Sequence, residues 1–149
     1  MPQRLVVDTN ILISLFMGRQ SAELIEAIVN EDIVLISSRE QISEIKRVLA
    51  YPKLAKHFTP EIRDDIVFLV ATMAELVMLA NDISDCRDPK DNFILEMAVN
   101  GKADFIVSGD EDIRSLNPYR GVSILDLNEF KKKISMDKED IPSHPSPKP

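Results

Sequence analysis

At 149 residues, 44% of them hydrophobic, the chain is the size of one compact domain and can bury a core without staples, which argues against a second domain. Its single cysteine, Cys86, excludes an internal disulfide, and no run approaches the roughly 18 consecutive apolar residues that a membrane span requires. A net charge of -7 excludes the broad basic surface of most nucleic-acid binders, so a phosphate-rich substrate would have to be held locally, by a cation or a small basic patch.

Asp8 and Asn10 interrupt the apolar start, so no signal peptide is expected and the cytosol is the expected compartment. Short apolar runs then alternate with segments of helical spacing, the pattern of βα units around a parallel sheet. Leu5 to Val7 is the first strand. Leu24, Ile25, Ile28 and Val29 mark an amphipathic helix, and Ile33 to Ile36 mark the second strand. Ile42, Ile45, Val48 and Leu49 form the stripe of another helix, which Ser38 and Gln41 would open as a capping box. Thr59-Pro60 starts a helix carrying Ile62, Ile66, Leu69, Val70 and Met73. A further strand near Leu76 to Leu79 follows this pattern with no Gly or Pro between.

Asp88-Pro89-Lys90-Asp91 opens a helix that runs through Phe93, Ile94 and Met97 to Gly101, and Phe105 to Val107 and Val122 to Leu125 complete the strands. None of the four clear strands alternates polar and apolar residues, so each is expected to be buried on both faces. From about Lys131 the composition changes, and four of the last eight residues are proline. Residues 1–134 are therefore expected to form the domain and 135–149 a disordered proline-rich tail.

Ligands of an open parallel sheet bind beyond the carboxyl ends of its strands. Asp8 directly follows the first strand, and Asp110 follows Phe-Ile-Val-Ser-Gly, with Asp112 two residues later. Asp88 and Asp91 lie at a helix start, and Glu44 lies about two turns into its helix. Taken singly, each has a structural reading. Asp88 is a natural N-cap with Pro89 at the first helical position, Asp91 suits the helix dipole, Asp110 and Asp112 could start a short helix, and Glu44 could be solvated. Asp8 is different, because an acid closing a buried strand needs a partner or a cation. Together, carboxylates at one sheet edge repel each other unless a divalent cation neutralises them. Oxygen ligands without His or Cys point to Mg²⁺ or Mn²⁺; His57 and His144 read as surface residues.

Asp8-Thr9-Asn10, Glu44, Arg87-Asp88-Pro89-Lys90-Asp91-Asn92 and Val107-Ser108-Gly109-Asp110-Glu111-Asp112 resemble, in order and spacing, the motifs of PIN-domain proteins, and among them the VapC-type toxins of toxin-antitoxin systems. The resemblance covers roughly residues 4 to 130. It implies a three-layer α/β/α domain with a five-stranded parallel sheet in the order 3-2-1-4-5, a homodimer, an antitoxin partner, and Mg²⁺- or Mn²⁺-dependent cleavage of RNA. The family's acidic quartet falls on Asp8, Glu44, Asp91 and Asp110, with Asp112 as a fifth acid. Asp8, Asp91 and Asp110 would hold the metal, directly or through water. Glu44 and Asp112 would complete the site or orient the nucleophile. Thr9 or Asn10 could hold a neighbouring carboxylate in its metal-binding orientation.

Water would attack the phosphodiester in line, leaving a 5′-phosphate and a 3′-hydroxyl as in similar enzymes. A haloacid-dehalogenase-type phosphatase would need a second Asp where Asn10 stands. A response-regulator receiver would need an acidic pair and a Lys after the last strand, and neither is evident. A non-catalytic module of the same fold, binding RNA or protein, is the alternative from another functional class.

Overall fold

A computed structural model describes residues 1–18 and 21–140 of the chain. Its sheet contains β1 (Gln3–Val7), β2 (Ile33–Ser37), β3 (Glu75–Leu76), β4 (Phe105–Val107) and β5 (Ser123–Leu125), all parallel, in the order β3-β2-β1-β4-β5. The expected strand order is thus the observed one.

Alternate residues of the central strand face opposite layers, which is why one continuous apolar run feeds two cores. Leu5 and Val7 pack with α1 (Thr9–Met17), α2 (Ser21–Val29), α3 (Arg39–Leu49) and α5 (Pro60–Met73), through residues such as Leu12, Leu24, Ile45 and Val70. Val6 faces the other way, against Ile94, Leu95 and Met97 of α6 (Asn92–Asn100) and Ile113 of α7 (Glu111–Arg114). The layers are therefore helix, sheet and helix. No helix among the described residues is long and apolar enough to cross a membrane.

Several local expectations change. Helix α1 lay hidden in the sequence because its apolar run, Ile-Leu-Ile-Ser-Leu-Phe-Met, lacks a broad polar face, and the short α4 (Pro52–Ala55) lacks a stripe. Val29 and Ile62 sit on their expected helices but are 67% and 44% exposed, at the margins of the buried stripes. The β3 ladder ends at Leu76, on an edge with only β2 to pair with, so Val77, Met78 and Leu79 lie beyond it. Val122 bonds back to Tyr119 instead of joining β5.

Ser38 caps α3 by accepting the Gln41 amide at 3.1 Å, but the Gln41 side chain does not return to close a capping box. It is fully buried: its amide nitrogen donates to the Val7 carbonyl at 2.7 Å, while its amide oxygen accepts the Ser37 hydroxyl at 2.6 Å. A complete capping box occurs at Asp126 and Glu129, each accepting the other's amide, at 2.8 and 3.0 Å. It starts α8 (Leu127–Asp140), which takes residues 135–140 into helix; the remainder of the expected tail, with His144, lies outside the described residues.

Two features of α6 set the approach to Asp91. Glu96, 2% exposed, accepts the Asn81 and Ile83 amides at 2.9 and 2.8 Å and so fastens the segment after β3 onto the helix. At the far end only glycine fits at position 101, because a Cβ there would stand 2.8 Å from the Met97 carbonyl oxygen and 2.7 Å from Ile36.

Candidate active site

From β1 the chain winds one way, to β2 and β3, and then returns to build β4 and β5 on the other side. The crevice between the carboxyl ends of β1 and β4 is consequently a topological switch point. Val7 is in register with Val107, which puts Asp8 opposite Ser108. The Asp8 amide bonds the Val107 carbonyl at 2.8 Å, and the Ser108 hydroxyl donates to Asp8 Oδ2 at 2.8 Å. The same hydroxyl, fully buried, accepts the Asp110 amide at 3.1 Å. One turn on, Asp110 Oδ1 caps α7 by accepting the Asp112 amide at 2.8 Å.

Asp91 enters from the third side. Pro89–Asp91 forms a 3-10 turn ahead of α6, with Asp88 Oδ1 accepting the Lys90 amide at 3.3 Å and the Asp88 carbonyl accepting the Asp91 amide at 3.0 Å. Asn92 Oδ1 accepts the Cys86 amide at 2.9 Å and closes the base of this loop. Asp91 Oδ2 is buried with no hydrogen-bond partner among the described residues.

Electrostatics join the three acids. Burial, followed by the charges of Asp110 and Asp8, pushes the Asp91 carboxyl up to about 7. Its contact with the Asp110 carboxyl adds to this, since two carboxyls can share a hydrogen bond only when one holds a proton. Asp8 is also raised, again mainly by burial and partly by Asp110, although the Ser108 hydroxyl and the Asn10 amide pull it back. Burial likewise raises the nearby Cys86 thiol, and Asp91, Asp110 and Asp112 raise it further.

The structure therefore brings Asp8, Asp91 and Asp110 together, with Asp112 on the flank of Asp110. Asp112 also faces Arg87, Nε to Oδ1, at 3.7 Å. Glu44 stands apart. It pairs with Arg47 at 3.5 Å on α3, and the acids that act most on Asp91 are Asp110, Asp8 and Asp88. Its link to Asp8 runs through Gln41, one turn earlier on α3, bound to the carbonyl of the residue before Asp8.

Thr9 and Asn10 take different places from those expected. Thr9 is buried with its hydroxyl unpartnered among the described residues, the Asn10 side chain is exposed, and the hydroxyl on Asp8 is that of Ser108. Ser108 was overlooked, although its place after the second Val-ending strand mirrors that of Asp8. Pairing the two strands on paper would have found it. His57 is exposed, as expected.

Among the described residues no three His, Cys, Asp or Glu side chains converge closely enough to ligate one ion directly. The donors present are hard carboxylate oxygens, one of them buried and unpartnered, beside a thiol whose raised pKa keeps it protonated. That set fits Mg²⁺, which keeps several waters and takes one or two carboxylates, better than an ion that demands a closed protein cage.

Fold and site define an open parallel α/β domain with an acidic cluster at its switch point. The model of the PIN domain matches residues 4–112, and the chain belongs to the PIN-domain family. No curated protein matches it in sequence. Among solved structures the fold is similar to a chain of VapBC2 from Rickettsia felis bound to a DNA fragment from their promoter, with a TM-score of 0.55 and 10% identity over 83% of this chain and 98% of that one. It is also similar to the PIN domain endonuclease Utp24, with a TM-score of 0.53 and 13% identity over 85% of this chain and 86% of that one.

Proposed function

We propose that this PIN-domain chain is a Mg²⁺- or Mn²⁺-dependent endoribonuclease acting as the toxin of a toxin-antitoxin pair. The observation that carries the reading is the meeting of Asp8, Asp91 and Asp110 at the switch point, with an unpartnered Asp91 oxygen inside it. Asp8, Asp91 and Asp110 would hold the cation, in part through water. When bound, it supplies Lewis acidity and offsets charge on the phosphodiester oxygens.

The chain's own groups do the rest. Ser108 fixes the Asp8 carboxylate by donating to Oδ2. Asp91, raised by burial and by the neighbouring acids, would give up its proton as a cation binds. Asp110 is oriented by the Asp112 amide, and the Asp112 carboxylate, on its flank, would help to orient the attacking water; Glu44, standing apart on α3 beside Arg47, would complete the site from that helix. In-line hydrolysis would leave a 5′-phosphate and a 3′-hydroxyl. The toxin assignment draws on the VapBC2 likeness, and with it go an antitoxin partner, a homodimer and a cytoplasmic location.

Incubation of the purified protein with mixed-sequence single-stranded RNA tests the reading. Cleavage should require Mg²⁺ or Mn²⁺, stop with EDTA and yield 5′-phosphate ends. RNA binding without cleavage under either metal would point instead to the non-catalytic module.

A further inference from the structure

An acidic chain that cuts RNA must still hold phosphates on either side of the scissile one, where a cation at the cluster does not reach. Four of its eight arginines are committed elsewhere. Arg4 binds Glu75 and the Gly101 carbonyl, Arg47 lies between Glu44 and the Tyr51 ring, Arg114 is shared among Glu111, Asp126 and Glu129, and Arg120 pairs with Asp85. Two cations differ from these. The side chains of Arg87 and Lys90 are 85% and 75% exposed, more than any of those four, and each faces a single carboxylate, Asp112 at 3.7 Å and Asp88 at 3.5 Å.

Those two carboxylates are themselves neighbours of the cluster. The Asp112 amide bonds Asp110, and the charge of Asp88 acts on Asp91. Arg87 and Lys90 thus stand on the rim, one residue removed from the acids on either side of the crevice. The Asn92–Cys86 and Asp88–Lys90 bonds hold the loop that carries both residues, and their exposed side chains make one weak ion pair each. Exposed ion pairs of this kind are weak, so exchanging a carboxylate for a phosphate costs little.

From this arrangement we infer that Arg87 and Lys90 are the substrate-positioning residues of the site, gripping phosphates of single-stranded RNA that flank the scissile bond. The inference rests on the ribonuclease reading and names how that site holds its substrate. Arg87 can engage a phosphate through two parallel N–H bonds, whereas Lys90 acts as a point charge. Together they put positive charge beside the acids in a chain of net charge -7.

The test measures binding of a fluorescein-labelled single-stranded RNA across a KCl series. The parent is Asp8→Asn protein, in which cleavage is blocked, and the variants add Arg87→Gln, Lys90→Gln, both, or the remote control Lys53→Gln on α4. Each rim substitution should weaken binding roughly 3- to 10-fold at low salt and flatten the slope of log K against log[salt] by about 0.7, the value for one single-strand phosphate contact. The double variant should combine the losses, Lys53→Gln should match the parent, and melting temperatures should stay together. Unchanged affinity and slope in the double variant, while the wild type still cleaves RNA, would overturn this inference and leave the ribonuclease reading standing. An equal loss in Lys53→Gln would also overturn it, by reducing the effect to overall charge. A wild type that neither binds nor cuts RNA removes both.

Discussion

Ser108 and Asp8 share a hydrogen bond of 2.8 Å across the ends of two neighbouring parallel strands, and the same Ser108 oxygen receives the Asp110 amide at 3.1 Å. One buried hydroxyl therefore sets the relative position of two acids whose numbers differ by about a hundred. Ser108→Ala should leave a buried carboxylate and an amide short of a partner, at a cost of about 1–3 kcal/mol. Because that bond lowers the Asp8 carboxyl, its loss should raise the group further and move the acidic limb of the cleavage profile to higher pH. A pH profile and a melting curve on the variant check both effects; an unshifted limb would show that Asp8 titration does not limit cleavage.

The ion-free protein should lose stability as pH rises through the window below neutrality. Asp91 is raised from 3.8 to about 7, so across that interval the folded chain holds a proton that the unfolded chain has released, and folding is favoured at the acid end. Asp8, also raised, has the same sign. Glu96 has the opposite one. Burial alone would raise it, but the Ile83 and Asn81 amides outweigh that and lower it, so its stabilisation fades only as pH falls below the ordinary carboxylate range. In EDTA the melting temperature should be higher at about pH 5 than at about pH 8, and Mg²⁺ should raise it more at the higher pH. Equal metal effects at both values would contradict the placement of the ion at these acids.

Asp88 and Asp91 lie in one short turn, yet their substitutions should fail differently. Asp88 caps the turn through the Lys90 amide, and Asp88→Ala should cost roughly 0.5–2 kcal/mol while sparing most metal-dependent cleavage. Asp91→Ala removes the unpartnered buried oxygen from the cluster, and should abolish Mn²⁺-dependent cleavage with little loss of stability. Melting and cleavage assays on the pair decide, and an active Asp91→Ala beside an inactive, stable Asp88→Ala would exchange the roles.

Gln41 ties the helix bearing Glu44 to the strand bearing Asp8. Gln41→Leu keeps the volume but strands the Val7 carbonyl and the Ser37 hydroxyl, and should cost about 2–4 kcal/mol for the two unmet groups. Chemical denaturation measures this. A loss under about 0.5 kcal/mol would show that the two groups find other partners.

What could be read from the sequence followed from short-range rules. Two-sided apolar runs gave the strands, and Thr59 and Ser38 marked their helix starts because capping depends on residues three apart. The five-stranded order came from the family resemblance, not from periodicity. Four of the five acids were visible as strand-end or helix-start carboxylates, while Glu44 stood out only by its place in its helix and took its site role from the resemblance. Ser108 and the second role of Gln41 were not legible, since both depend on register between segments far apart in the chain. Helix α1 was missed because its buried faces leave almost no polar stripe, and α8 ran beyond the expected boundary because Asp126 and Glu129 give it a strong start.

The central claim is that Asp8 belongs to a metal-dependent centre that cuts RNA. Wild-type and Asp8→Asn proteins, matched by circular dichroism and melting temperature, should be given the same single-stranded RNA with Mn²⁺ and followed on a denaturing gel. Metal-dependent cleavage is expected of the wild type and none of Asp8→Asn, whose melting temperature without metal should equal or slightly exceed the parent's because one repelling charge is gone. Full cleavage by Asp8→Asn would contradict the claim.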